Sequence, residues 1–231
     1  MLSLLIQEPG WLAVDKPAGM LVIPGRGEAE APSLRERLED QLGRGVFVVH
    51  RLDRDTSGVL VMALDARAHR ALSMAFEAGR VGKRYLALVE GRVAEPLEVA
   101  LALAPARRGR MRPTRPGEEG KAAKTLIRPL EGFAKASLVE AEPLTGRTHQ
   151  IRVHLQASGH PLLVDHQYGR AQPLRASDLG LPGDEELLAR TPLHASRVEI
   201  PALEGIRPRV VESPLPRDMA RTLEALRGGE R

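Results

Sequence analysis

Glycine and proline divide this 231-residue chain into short pieces, and that punctuation limits what it can fold into more than any other feature. Twenty-two Gly and 18 Pro bound its apolar segments, so the segments at 2–6, 11–14, 20–23, 46–49, 59–64, 85–89 and 97–103 have the length and boundaries of strands rather than of long helices. Helical signals are interspersed among them without regular alternation. Ser33-Leu34-Arg35-Glu36 is a capping box that opens a helix with Leu34, Leu38 and Leu42 on one face. Further helices are expected from Ala66 to about Ala78, with Gly79 as the stop, and over 148–158 and 217–227. The result is a mixed α and β chain. At 42% hydrophobic residues it can bury a real core as one large domain or two small ones, and no repeat of 20 to 50 residues is visible.

The stretch with the clearest chemistry is His50-Arg51-Leu52-Asp53-Arg54-Asp55-Thr56-Ser57-Gly58. It places Asp53 between two arginines at an expected strand end, ahead of turn-forming residues. Flanking guanidinium groups favour an ionised carboxylate, which suits chemistry on a polyanion. An aspartic protease is a poor fit, because its Asp-Thr-Gly has glycine directly after threonine and a second carboxylate must share the proton. The plain alternative is that Asp53 caps a turn or pairs with Arg51 at the surface.

Other blocks follow in order. Ala13-Val14-Asp15-Lys16-Pro17-Ala18-Gly19-Met20 is an apolar strand ending in a turn. Lys83-Arg84-Tyr85-Leu86-Ala87-Leu88-Val89-Glu90-Gly91 alternates outward charge or ring with apolar residues, as a half-buried strand does. Pro143-Leu144-Thr145-Gly146-Arg147-Thr148-His149-Gln150-Ile151-Arg152-Val153-His154-Leu155 leads to Gly159-His160-Pro161-Leu162-Leu163-Val164-Asp165, then Tyr168-Gly169 and Leu193-His194-Ala195.

Taken together over roughly residues 11 to 200, these blocks resemble the pseudouridine synthases, specifically the family typified by ribosomal large-subunit pseudouridine synthase A. The resemblance implies an α+β fold: a bent, mainly antiparallel sheet in two halves, with flanking helices and a central active-site cleft. It implies an isomerase that converts uridine within RNA to pseudouridine, with no metal and no other cofactor. The site residues it implies are Asp53 as the essential carboxylate, Arg152 as the guanidinium that orients it, and Tyr85 as the ring that meets a flipped-out uracil. Arg51 is similar to the residue that enters the space the flipped base leaves. Arg147 is assigned to stabilising its loop or to phosphate contact. Asp53 can serve as nucleophile to the ribose, as an adduct-former with the uracil ring, or as a general base, and the residues alone leave all three open.

Members often carry a small RNA-binding domain before the first block. Here that block begins about ten residues in, so a single catalytic domain over 1–231 is expected, and recognition falls to the catalytic domain itself. The segment 106–124 suits that task. It holds seven Lys or Arg against two Glu, a net of five positive charges, and its Pro and Gly residues mark it as a loop. Arg107, Arg108 and Arg110 are the expected phosphate contacts. The chain as a whole has a formal charge of +4, a modest pull toward polyanions.

Several classes are excluded. With no cysteine there is no disulfide, thiol catalysis or Cys-based zinc site. Spacings of five and six among His149, His154, His160 and His166 do not form a ligand pair on one helical face. No phosphate-cradling Gly-x-x-x-x-Gly-Lys or dinucleotide Gly-x-Gly-x-x-Gly occurs. No apolar run is long enough to span a bilayer and no signal peptide is evident, so the expectation is a cytoplasmic, monomeric enzyme acting on large-subunit rRNA or tRNA without a protein partner. The competing expectations are a catalytically inactive RNA-binding ribosome-assembly factor, and a base-excising hydrolase in which Asp53 activates water.

Overall fold

The structure is a computed structural model, and it describes residues 1–25 and 32–229. Its strands are, in order, β1 (Ser3–Glu8), β2 (Trp11–Lys16), β3 (Phe47–Val48), β4 (Ser57–Ala63), β5 (Gly82–Glu90), β6 (Leu97–Val99), β7 (Leu103–Pro105), β8 (Met111–Pro113), β9 (Thr125–Gly132), β10 (Ala136–Pro143), β11 (Leu174–Arg175), β12 (Glu186–Leu188), β13 (Leu193–Ile200) and β14 (Arg209–Glu212). The helices are α1 (Leu34–Leu42), α2 (Ala66–Glu77), α3 (Gln150–Ala157) and α4 (Arg217–Gly229). The chain divides into two compact units, Met1–Lys83 with Ala195–Pro214, and Arg84–His194 with Leu215–Arg231. This is the α+β class with mainly antiparallel pairing that the sequence resemblance implies.

In the first unit β2 lies antiparallel between β1 and β4, and β13 joins β14 by antiparallel pairing. All seven residues of β4 are buried. Val59, Val61 and Ala63 on one face of β4 pack with Trp11, Ala13, Leu72, Val198 and Val211, and each such fully buried large side chain contributes roughly 1.5–3 kcal/mol. Helix α2 closes that face through Ala68, Leu72 and Ala75, with Asp65 as its N-cap, accepting from the Ala68 amide at 2.8 Å. Helix α1 has the expected capping box between Ser33 and Glu36, and Gly43 ends it in the left-handed conformation. Gly58 is required: its φ is +107°, and a Cβ there would collide with the backbone of Ala195 on β13.

In the second unit β5 pairs with β10, β10 with β9 and β9 with β6, all antiparallel. Ala87 and Val89 pack with Val139, Ile151 and Leu155, while Leu88 joins a separate cluster with Leu138, Met219, Leu223 and Leu226. Both faces of β5 are therefore covered over 87–89. That corrects the sequence reading of a half-buried alternating strand.

Three further differences have local causes. Residues 20–23 do not form a strand, because the carbonyls of Leu21 and Val22 accept from the amides of Leu34 and Arg35 at the start of α1, satisfying helix-end donors instead of a ladder. The predicted strand 97–103 is two: β6 pairs with β9, whereas β7 turns away to pair with β8. Strand β9 was invisible in the pattern because Pro129 interrupts it. The register of β9 with β10 shifts between Leu138 and Val139, where Val139 faces Pro129, the irregular position at which a ladder tolerates proline.

Candidate active site

In the first unit, Asp53 lies half-buried in the loop between β3 and β4, with Arg51 exposed two residues earlier. The Thr56 amide donates to the Asp53 carbonyl at 3.2 Å and closes a turn over Arg54 and Asp55, residue types that favour such turns. The turn is anchored by a residue to which sequence reading assigned no role. Lys16 is completely buried, and its Nζ donates to the carbonyls of Arg54 and Thr56, each at 2.8 Å, and of Pro17 at 2.9 Å. Arg54 reciprocates, its Nε donating to the Gly19 carbonyl at 3.2 Å. The Lys-Pro-Ala-Gly turn and the Asp53 turn are thus one hydrogen-bonded construction. A signal for it existed: strand period two places Lys16 on the same face as Leu12 and Val14, both buried.

His50 supports the same loop. Its Nε2 accepts from the Val61 amide at 3.0 Å, and its ring stacks on Phe76 with centroids 4.2 Å apart. Burial, and then the charge of Lys83, push the His50 pKa down from its ordinary value to about 3, so the imidazole is neutral at pH 7. Burial likewise lowers Lys83.

In the second unit, Tyr85 lies on β5 opposite Ala141 of β10, half-buried against the cluster that contains Val139 and Ile151. Arg152 projects from α3, a helix buried from Gln150 through Leu155. Its Nε donates to Asp165 Oδ2 at 2.7 Å, its Nη2 to Asp165 Oδ1 at 2.8 Å, and Nη2 also reaches Gln167 Oε1 at 3.1 Å. Burial alone would push Asp165 up, but the Arg152 fork, its charge and the amides of Gln167 and Tyr168 outweigh that and hold the carboxyl below its usual range. Sequence reading quoted Asp165 within a block and gave it no task. Arg147 lies ahead of α3, exposed, and its Nε donates to the Ala122 carbonyl at 3.1 Å. Of the two roles expected of it, this contact is loop stabilisation.

The basic segment 106–124 is not a featureless loop. β7 and β8 form a hairpin whose tip is a short 3-10 turn, Arg107–Gly109, and Arg107, Arg108 and Arg110 are exposed there. Arg108 holds a left-handed φ of 56°, a conformation costing a non-glycine residue roughly 1–2 kcal/mol. Not all of the segment's charge is available. Arg112 makes a bidentate pair with Glu118 at 2.6 and 2.5 Å, and Lys124 pairs with Glu98 at 2.7 Å.

The histidines of the third block have hydrogen-bonding tasks. His149 Nδ1 lies 2.7 Å from the Tyr168 hydroxyl. His154 is fully buried, with Nδ1 2.8 Å from Thr125 Oγ1 and Nε2 3.1 Å from the Leu101 carbonyl. Among the described residues no helix is long and apolar enough to cross a membrane.

Comparison with known proteins identifies the family. Residues 10–157 match the family model described as RNA pseudouridylate synthase. The chain is 37% identical over 233 residues to ribosomal large subunit pseudouridine synthase D of Nitrosomonas europaea, covering 98% of this chain and 65% of that protein. It is 34% identical over 215 residues to tRNA pseudouridine synthase C of Salmonella typhi, covering 87% of this chain and 80% of that one. The solved structure of human RNA pseudouridylate synthase domain containing 4 superposes with a TM-score of 0.78 at 27% identity, over 97% of this chain and 93% of the human one.

Proposed function

Because this chain belongs to the RNA pseudouridylate synthase family, we propose that it converts specific uridines of structured RNA to pseudouridine, with Asp53 as the essential carboxylate. The family's reaction is an isomerisation. The glycosidic bond from the uracil nitrogen to the ribose breaks, the base rotates, and a ring carbon rejoins the same ribose carbon, so atoms and electrons balance within the substrate. A carboxylate serving such a reaction must be held in place before the base arrives. The observation that carries the assignment to Asp53 is the buried Lys16, which binds the carbonyls of Arg54 and Thr56, one and three residues after it.

Arg152 supplies a guanidinium whose orientation is set by Asp165, and Tyr85 supplies one of the chain's few rings for a flipped uracil. Arg51, exposed beside the turn, enters the gap in the RNA stack. Arg107, Arg108 and Arg110 contact phosphates from the hairpin tip, with Arg147 bracing the loop behind it. The substrate is large-subunit rRNA, tRNA or both, the two classes named among the relatives. The enzyme acts in the cytoplasm as a monomer, as one catalytic domain, without a protein partner or cofactor.

Nucleoside analysis of isotopically labelled rRNA and tRNA transcripts, incubated with the protein or with Asp53→Asn, tests this directly. Pseudouridine is expected from the native chain, with a loss of at least ~10³-fold in the variant and RNA affinity retained. Free uracil would reveal a hydrolase instead, and undiminished turnover by Asp53→Asn would remove this carboxylate from the mechanism.

A further inference from the structure

The chain has two tyrosines, and Tyr168 is the one without an assigned task. Tyr168 is buried. Its hydroxyl accepts from the Met111 amide, on β8 of the arginine hairpin, at 2.7 Å. The same hydroxyl lies 2.7 Å from His149 Nδ1, at the residue preceding α3. A phenol can accept and donate at once, so one oxygen ties the hairpin backbone to the start of the helix.

The ring adds a second connection. The guanidinium carbon of Arg152 lies 4.9 Å from its centroid and that of Arg110 lies 5.5 Å away, both within the range of cation–π attraction. These cations come from different elements, α3 and the hairpin, and one ring holds both near it. Arg152 is already fixed by Asp165, whereas Arg110 is exposed at the hairpin tip. The ring is itself held by the turn that fixes Arg152, because the Tyr168 amide donates to Asp165 Oδ1 at 3.1 Å. Below it, Leu103, Ala123 and Val153 form a small cluster with Tyr168, against which Met111 packs. The hairpin, the Asp165 turn and α3 therefore converge on one side chain.

We propose that Tyr168 is a positioning residue that couples the arginine hairpin to Arg152, so that RNA seated on the hairpin and the guanidinium on α3 are held in one register. The inference deepens the proposed function and rests on its assignment of Arg152 and the hairpin. Tyr168 touches neither the uridine nor the reacting atoms; it acts through the two arginines and the Met111 amide. A purely structural tyrosine would alter stability, with activity following the folded fraction. A coupling tyrosine makes the effects of hairpin and ring changes depend on each other.

The test compares the native chain with Tyr168→Phe, Tyr168→Leu, Arg110→Ala and the two double variants. Dissociation constants and single-turnover rates at saturating enzyme are measured on a transcript that the native chain modifies, alongside thermal unfolding. Tyr168→Leu should lower the saturated rate about tenfold, beyond any loss of folded protein, and Tyr168→Phe, which keeps the ring, should restore most of that rate while still weakening RNA binding by roughly threefold, the scale of one lost neutral hydrogen bond. Adding Arg110→Ala to either tyrosine variant should cost less affinity than it costs the native chain. A native saturated rate in Tyr168→Leu, or affinity losses that multiply independently, would overturn the coupling. If Tyr168→Leu does not fold, the binding cycle of Tyr168→Phe with Arg110→Ala decides the question. That cycle needs only RNA affinity, so a chain that binds RNA without making pseudouridine sinks the proposed function and leaves the coupling to be judged on binding.

Discussion

The Asp53 turn and the arginine hairpin are both short polar segments between strands, yet they are held in opposite ways. Beneath the Asp53 turn is a completely buried lysine whose ammonium binds backbone carbonyls one and three residues after the carboxylate. The hairpin is secured beside its tip, where the Met111 amide, in the last strand pair before the turn, meets Tyr168, and the tip itself carries exposed arginines. The difference matches what the proposed function asks of each segment. Chemistry at a single carbon tolerates little positional error, whereas phosphate contact is long in range and forgiving, with strength that comes from charge. A buried cation is an expensive way to hold a turn, and it is found where placement matters most.

The contrast can be broken first at Lys16. Lys16→Met removes the donor and leaves the carbonyls of Arg54 and Thr56 without it in a dry environment. A loss of about 3 kcal/mol or more is expected, with turnover falling further than the folded fraction accounts for. Urea unfolding combined with single-turnover rates checks this, and native turnover per folded molecule would show that the turn holds its shape without the lysine.

A smaller effect is expected from His50, on the same side of the comparison. Its folded pKa is about 3, well below the ordinary 6.5, so between those values the unfolded chain binds a proton that the native chain does not. The stability His50 contributes is therefore complete above pH 6.5 and is lost as pH falls toward 3. Between pH 7.5 and 4.5 the native chain should lose about 3 kcal/mol through this group, and His50→Gln should flatten that part of the curve. Equal losses in the two proteins would exclude His50 as the source.

On the hairpin side, the triple change of Arg107, Arg108 and Arg110 to Ala should weaken RNA binding by roughly tenfold or more and make its salt dependence shallower, since each phosphate contact contributes to the slope. The stability of the fold should hardly move. An unchanged slope would take the hairpin tip out of RNA binding. The smallest effect is expected of Arg112→Ala, because Glu118 already neutralises that guanidinium; a change in slope as large as that from one tip arginine would show that RNA displaces Glu118.

Much of this molecule was legible as local pattern. The capping box at Ser33 and Glu36, the helix from Ala66 stopped near Gly79, and the ordered blocks around Asp53, Tyr85 and Arg152 depend on residues close together in the chain, and local preferences suffice to read them. Strand β9 shows where that reading stops. Pro129 argues against a strand, and only the shifted register opposite Val139 makes room for it.

By itself, the sequence determined the family, the α+β class and the basic character of 106–124, and it named the residues proposed for catalysis. Tertiary structure decided their partners. Lys16 finds the Asp53 turn across 38 to 40 residues, Arg152 finds Asp165, Tyr168 finds Met111 across 57, and Glu118 silences one arginine of seven cations. The physical reason is that a buried polar group must be satisfied by whatever the fold brings within about 3 Å. Sequence spacing carries no record of which distant atom that will be.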